Sequence, residues 1–197
     1  MLRAPGLLKA FTFISLLAPV LVLVFNFANR QLGANPVETL THETGQWAFI
    51  CLLISLSCTP IKDVSGIKKI MRIRRMSGLF SFFYACLHFA IYWVFDQSLS
   101  LEYVWDDLKD RPYITLGFSA WLLLIPLTIT STKKMRQRMG RAWLTLHKLV
   151  YLIALLALAH YIWLIRADYS EVLLFALWLT ATLAIRAYFW IKNAFRH

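Results

Sequence analysis

Six apolar stretches, each close to the length that crosses a bilayer as a helix, leave this chain few folds to choose from. A hydrocarbon core about 30 Å thick takes about 20 residues of α-helix. The stretches run from Leu7 to Ala28, Gly45 to Ile61, Ser77 to Phe95, Tyr113 to Thr130, Trp143 to Ile165 and Val172 to Ile191. Composition agrees: 59% of residues are hydrophobic, 15% aromatic and only 16% charged, a balance suited to lipid rather than water. The expected fold is all-α, a polytopic six-helix transmembrane bundle in which residues 1–197 form one domain. The first stretch is too long for the apolar region of a signal peptide and is followed by no small-residue cleavage site, so it is read as a retained helix.

Charge orients the bundle. Arg3 and Lys9 precede the first stretch, Lys62, Lys68, Lys69, Arg72, Arg74 and Arg75 separate the second from the third, and Lys133, Lys134, Arg136, Arg138 and Arg141 separate the fourth from the fifth. Lys192 and Arg196 close the chain on the same side. The opposite loops carry Arg30, Lys109, Arg111 and Arg166 with most of the acids, among them Glu38, Glu43, Asp96, Glu102, Asp106, Asp107, Asp110, Asp168 and Glu171. The positive-inside rule then places both termini in the cytoplasm. The same rule accounts for the net charge of +11, so no nucleic-acid partner is inferred. Cys51, Cys58 and Cys86 all lie in apolar stretches without a C-x-x-C pair, which argues for buried free thiols and against a zinc or iron-sulfur site.

Three histidines stand inside these spans: His88 in the third, and His147 and His160 in the fifth. An ionisable side chain in a membrane needs a partner, and neutral imidazole is the common protein ligand of b-type heme. A lone intramembrane histidine is explained by a hydrogen bond across helices. Three on two helices, two of them at matching depth, point to heme. His147 falls near the cytoplasmic end, and His160, thirteen residues on, lies roughly 20 Å deeper. His88 is level with His160, which makes His88 and His160 the expected bis-histidine pair.

His147 has no such counterpart, because the third stretch offers Arg74 and Arg75 at its level. Either an inner heme is absent, or His147 holds one with an unusual second ligand or an open position, or the pocket takes a flavin or quinone. Arg74 and Arg75 would then bind propionates or a flavin phosphate. Thirteen ideal helical steps also leave His147 and His160 about 140° apart around the axis, so a local distortion, or cofactors approached from different sides, is required. Tyr84, Tyr92, Tyr151 and Tyr161 are candidates for hydrogen bonds around the heme or for lipid-facing positions. His42 is either a surface histidine or a quinone contact or auxiliary ligand, and terminal His197 is assigned no role. Lys148 and Arg186 read as snorkelling side chains near helix ends.

The single histidine of the third helix, the stretch W-L-T-L-H-K-L-V-Y from Trp143 to Tyr151 with His160 beyond it, R-P-Y-I-T-L-G from Arg111 to Gly117, and H-E-T-G-Q-W-A from His42 form an ordered set. In this order and spacing the chain resembles the MsrQ family, formerly called YedZ, within the broader ferric reductase-like transmembrane group. The resemblance implies a heme b subunit of the bacterial inner membrane that takes electrons from the respiratory quinone pool or from reduced flavin. It would pass them, as part of a heterodimer, to MsrP, a periplasmic molybdopterin enzyme that repairs methionine sulfoxide, a reversible lesion. It also implies one or two hemes, with His88 and His160 on one and His147 at a second or altered site. FMN enters by resemblance alone. The acidic stretch from Asp96 to Arg111 is a candidate docking surface for the partner, or else a solvated loop.

Two other functions compete. A stand-alone ferric or quinone reductase would usually carry a fused flavin and nicotinamide domain, and the chain contains no Gly-rich dinucleotide motif. A non-redox transporter or assembly factor would use the histidines as proton relays or packing contacts.

Overall fold

The computed structural model describes residues 4–165 and 168–195; Arg3, Arg166, Arg196 and His197 lie outside them. The described residues form helices joined by short turns, with no strand among them. Six helical spans are long and apolar enough to cross a membrane: Gly6–Ala28, Pro36–Ser65, Lys68–Asp96, Pro112–Ile129, Arg141–Leu164 and Ser170–Ala194. All six expected spans are present. The largest difference in extent is the second, which begins at Pro36 because Asn35 caps it, its side chain accepting a hydrogen bond from the Glu38 N–H, and proline suits the first helical turn.

The helices are α1 (Ala4–Ala28), α2 (Pro36–Ser65), α3 (Met71–Ile91), α4 (Leu101–Asp110), α5 (Pro112–Ile129), α6 (Lys133–Met139), α7 (Arg141–Leu146), α8 (Leu149–Leu164) and α9 (Ser170–Ala194). A π-helical turn, Tyr92–Asp96, continues α3. Helix α2 packs along α3, and α5 along α8; α9 lies against α2 and α8, and α1 against α2 and α3. Phe49, Leu52, Leu53, Leu56, Leu124, Ile153 and Leu179 form the apolar centre. Phe11, Ile14, Leu155, Leu174 and Trp190 are exposed, as expected where lipid is the solvent.

Two regions depart from the sequence reading. The acidic stretch is not a plain loop, since Leu101–Asp110 is a helix capped by Ser100, whose hydroxyl accepts from the Tyr103 N–H. Asp107 anchors it, accepting from the Tyr92 hydroxyl at 2.9 Å and the Gln97 amide at 2.8 Å, with Arg111 alongside at 3.3 Å. The fifth span is not one continuous helix. Bonds from Lys148 N–H to Thr145 and from Tyr151 N–H to Lys148 tighten the chain between α7 and α8. Such steps turn about 120° rather than about 100°, so a few of them narrow the angular offset between His147 and His160.

The first tyrosine on α3 repairs a neighbour. Pro19 lies within α1, where its ring and missing N–H disturb the ladder. The fully buried Tyr84 hydroxyl enters there, donating to Leu16 carbonyl at 2.7 Å and accepting from Val20 N–H at 3.2 Å. Tyr84→Phe removes both bonds and leaves those backbone groups short of a partner, at a cost of about 1–3 kcal/mol. Reversible unfolding in mixed micelles measures this, and a variant as stable as the parent would contradict the role assigned to the hydroxyl.

Candidate functional site

His88 on α3 and His160 on α8 face each other, with ring centroids 6.2 Å apart and ring planes inclined by 80°. Each is oriented through its Nδ1. His88 Nδ1 lies 2.8 Å from the Thr41 carbonyl of α2, and His160 Nδ1 lies 2.6 Å from the Tyr113 carbonyl of α5. A carbonyl only accepts, so each Nδ1 carries the proton and each Nε2 keeps its lone pair. A helical carbonyl has a second lone pair for this contact, but a neighbouring side chain must not block it. One turn beyond each carbonyl stands a glycine. A Cβ at Gly45 would come within 3.0 Å of the His88 ring, and one at Gly117 within 2.9 Å of His160 Nδ1. The two ligand candidates are therefore built alike: a histidine, a carbonyl on the adjacent helix, and a glycine four residues after it.

The gap suits one metal ion between two imidazoles. A metal–nitrogen bond of about 2.0 Å plus about 1.2 Å from nitrogen to ring centre, taken twice, gives roughly 6.4 Å between centroids. Tyr113 stacks on His160 at 6.2 Å and 28°. Beside His88, Phe89 stacks between Trp121, at 4.5 Å, and Trp93, at 6.3 Å. Tyr113 thus covers one imidazole of the pair, and the Phe89 stack stands on the helix that carries the other. Among the described residues no group of three or more His, Cys, Asp or Glu side chains is placed to hold a metal ion by itself. Two axial nitrogens would thus need a macrocycle to complete the coordination.

Comparison with known proteins places the chain. Residues 44–158 match the ferric reductase like transmembrane component family. The chain is 41% identical over 192 residues to the protein-methionine-sulfoxide reductase heme-binding subunit MsrQ of Herminiimonas arsenicoxydans, an alignment covering 95% of this chain and 88% of that relative. The chain belongs to the MsrQ family. Its match to the subunit of the same name from Rhodospirillum rubrum is 44% over 175 residues, covering 88% of this chain and 84% of the relative. The corresponding figures for Xanthomonas axonopodis pv. citri are 42% over 174 residues, 85% and 80%. No solved structure matches the chain. Family and six apolar spans together make it a multi-pass membrane protein.

Elsewhere in this MsrQ-family bundle the expected residues divide. His147, in the turn between α7 and α8, stacks on Trp143 at 3.9 Å and places Nε2 3.1 Å from the Thr130 hydroxyl. That hydroxyl gives its own proton to the Pro126 carbonyl at 2.6 Å, so His147 Nε2 donates, and its unpaired nitrogen is Nδ1. Arg74 turns inward, its guanidinium 3.4 Å from Thr59 Oγ1, while Arg75 is exposed. The two arginines therefore do not form one inward-facing pair. Arg186 is held within the bundle, donating to Leu56 carbonyl at 3.3 Å and lying 5.1 Å from the Tyr151 ring centre, where simple snorkelling was expected.

None of the four candidate tyrosines bonds an imidazole of the facing pair. Tyr84 serves α1, Tyr92 serves Asp107, and Tyr151 lies beneath Arg186. Tyr161 joins a polar cluster across α2, α8 and α9: its hydroxyl lies 3.0 Å from Gln46 and 3.1 Å from Glu171, and Gln46 also bonds Glu171. Exposed His42 approaches the same hydroxyl at 3.5 Å. Because Gln46 follows Gly45 and Tyr161 follows His160, this cluster ties together the helices that carry the site. Glu171→Ala and Tyr161→Phe are expected to be non-additive, with a coupling of about 0.5–3 kcal/mol in a double-mutant unfolding cycle. Strict additivity would show that the cluster does not act as one unit.

Proposed function

We propose that this chain is a heme b electron-transfer subunit, in which His88 and His160 would together hold one heme. The observation that carries the reading is the facing pair itself: two imidazoles 6.2 Å apart, each with Nδ1 bonded to a carbonyl and Nε2 left for a metal. The names of the MsrQ relatives as heme-binding subunits support it. Bound heme supplies a one-electron carrier inside the membrane. The chain's residues do the rest. Thr41 and Tyr113 fix the tautomer and strengthen each imidazole as a ligand, Gly45 and Gly117 make the room, and the Tyr113 ring stacks on His160.

In this reading residues 1–197 act as one ferric reductase-like unit in the bacterial inner membrane, with both termini cytoplasmic. Electrons enter from quinol or reduced flavin and leave outward to a periplasmic MsrP-type molybdoenzyme, which repairs methionine sulfoxide in envelope proteins. Helix α4, with Glu102, Asp106 and Asp110, belongs to the outward end and contributes to the docking surface. His147, with Arg74 beside the same end of the bundle and Arg75 at its surface, is the second cofactor position, for a further heme or for FMN. Ligation there uses Nδ1, or breaks the Thr130 contact.

Purified protein reduced with dithionite is expected to show b-type absorption bands, and their absence would overturn the proposal. His88→Ala and His160→Ala should each abolish bis-histidine heme binding, whereas His147→Ala should lower cofactor content only in part. Gly117→Ala tests the cradle independently: it leaves every ligand in place, yet heme per protein is expected to fall severalfold, because the added Cβ pushes His160 off its carbonyl. Full heme occupancy in that variant would contradict the close-packing argument.

A further inference from the structure

Helix α2 has two occupied faces. Thr41, whose carbonyl holds His88, and Gly45, packed against the His88 ring, lie one turn apart on the first. Thr39, Glu43 and Trp47 keep the same spacing two residues out of step, which sets them about 200° around the axis, on the opposite side. All three line a cavity of about 540 Å³ between α2 and α1, within the size range of small-molecule sites. On α1 the wall is a stripe at three- and four-residue spacing that includes Ser15, Ala18 and Pro19. These are small side chains, so the two helices leave room between them. Ser15 and Val22 are exposed, which opens the cavity along α1 to lipid.

The cavity is apolar along α1 and polar toward the turn that joins α1 to α2, where Asn26 and Gln31 stand, with Glu43 on α2. Gln31 is exposed and lies beyond the α1 span, so this end reaches water. The Thr39 hydroxyl is satisfied by the Leu32 and Asn35 carbonyls. The side chains of Asn26, Gln31 and Glu43 bond no other group among the described residues, and a carboxylate inside a membrane span points to function. No Lys, Arg or His lines the cavity, so a lipid phosphate would meet a carboxylate without a compensating cation. A carboxylate accepts hydrogen bonds, while amides both donate and accept. This set suits a neutral headgroup that carries hydroxyls and an apolar tail.

We propose that the cavity binds a membrane quinol, with its ring at Asn26, Gln31 and Glu43 and its tail along α1, and that Glu43 accepts its hydroxyl protons. The inference rests on the heme reading above and gives the quinol donor a place. Helix α2 stands between the cavity and His88, a separation of about 10–12 Å, the width of a helix with its side chains. Trp47 lines the cavity with its ring 6.3 Å from that of Tyr84, which precedes His88 by one turn of α3. Oxidising a quinol to the quinone breaks two O–H bonds and yields two electrons and two protons. The electrons cross α2 one at a time to ferric heme at His88 and His160, so each quinol reduces two hemes to the ferrous state. The protons pass by way of the Glu43 carboxylate to water at Gln31.

The test uses the full-length protein and two independent readouts. Stopped-flow absorption at the b-type bands follows heme reduction by decylubiquinol, and photolabelling with an azido-ubiquinone maps the site without requiring heme. Ala18→Leu fills the cavity, and Glu43→Gln keeps its shape while removing the proton acceptor. Both variants are expected to match the parent in heme content and dithionite-reduced spectrum, yet to be reduced by decylubiquinol at least about tenfold more slowly, as loss of a proton acceptor or of the site demands. The label should fall on the α1 and α2 segments that line the cavity, be displaced by decylubiquinol and be lost in Ala18→Leu. A parental rate of reduction in either variant would overturn the proposal. So would label confined to other helices, or label displaced by phosphatidylethanolamine and not by decylubiquinol. A parent whose b-type bands respond to dithionite but not to decylubiquinol overturns this proposal alone. A parent without such bands overturns the heme reading, and the labelling then decides the cavity by itself.

Discussion

An imidazole buried in a lipid-embedded bundle must be satisfied by protein, and in this chain the satisfying groups are helix carbonyls. The Nδ1 bonds of His88 to Thr41 and of His160 to Tyr113 settle the tautomer of each ring, the direction of each Nε2 and the distance between them. They also require α2 to lie close to α3 and α5 close to α8. Gly45 and Gly117 permit that approach, and the two helix pairs they join form the body of the bundle. The remaining spans brace this arrangement: α1 through Tyr84, and α9 through Glu171 and the Gln46–Tyr161 contact.

The two ends of the bundle are chemically unlike. Toward α4 the facing imidazoles each bond a helix carbonyl through Nδ1 and keep the lone pair of Nε2, with Tyr113 stacked on one of them. Toward α7 the surroundings of His147 are already hydrogen-bonded: Thr130 takes its Nε2, Trp143 covers its ring and donates to the Thr130 carbonyl. Arg74 and Arg186 add positive charge on that side, each bonded to an oxygen of α2. The first end presents two facing imidazoles. The second is basic, and it holds a histidine whose usual ligating nitrogen is engaged.

Much of this was readable from residue spacing, because membrane spans convert sequence number into depth. Counting along the helices paired His88 with His160 and isolated His147, and the ideal-helix angle between His147 and His160 left either a local distortion or cofactors approached from different sides; the chain tightens at His147 and Lys148, which narrows that angle. What escaped was the set of partners. Backbone carbonyls have no residue-type signature, so tyrosines were proposed where Thr41 and Tyr113 provide main-chain oxygen. The available signal was a glycine four residues after each, in T-H-E-T-G and Y-I-T-L-G. Helix α4 was missed because its charged residues resemble a solvated loop, although Ser100 before Leu101 and Glu102 is a fair capping signal. Arg74 and Arg75 could not be told apart without knowing the rotation of α3, which places one inward and the other in the open.

The central claim is that one iron is held between the Nε2 atoms of His88 and His160. Its most direct test is to count histidine nitrogens on the iron by pulsed EPR, using oxidised protein labelled with 15N-histidine and carrying unlabelled heme. The account predicts two coupled imidazole nitrogens in the parent, and at most one at the same iron in either His88→Gly or His160→Gly. A parent heme coupled to one histidine nitrogen or to none would contradict it, as would two coupled nitrogens persisting in both variants.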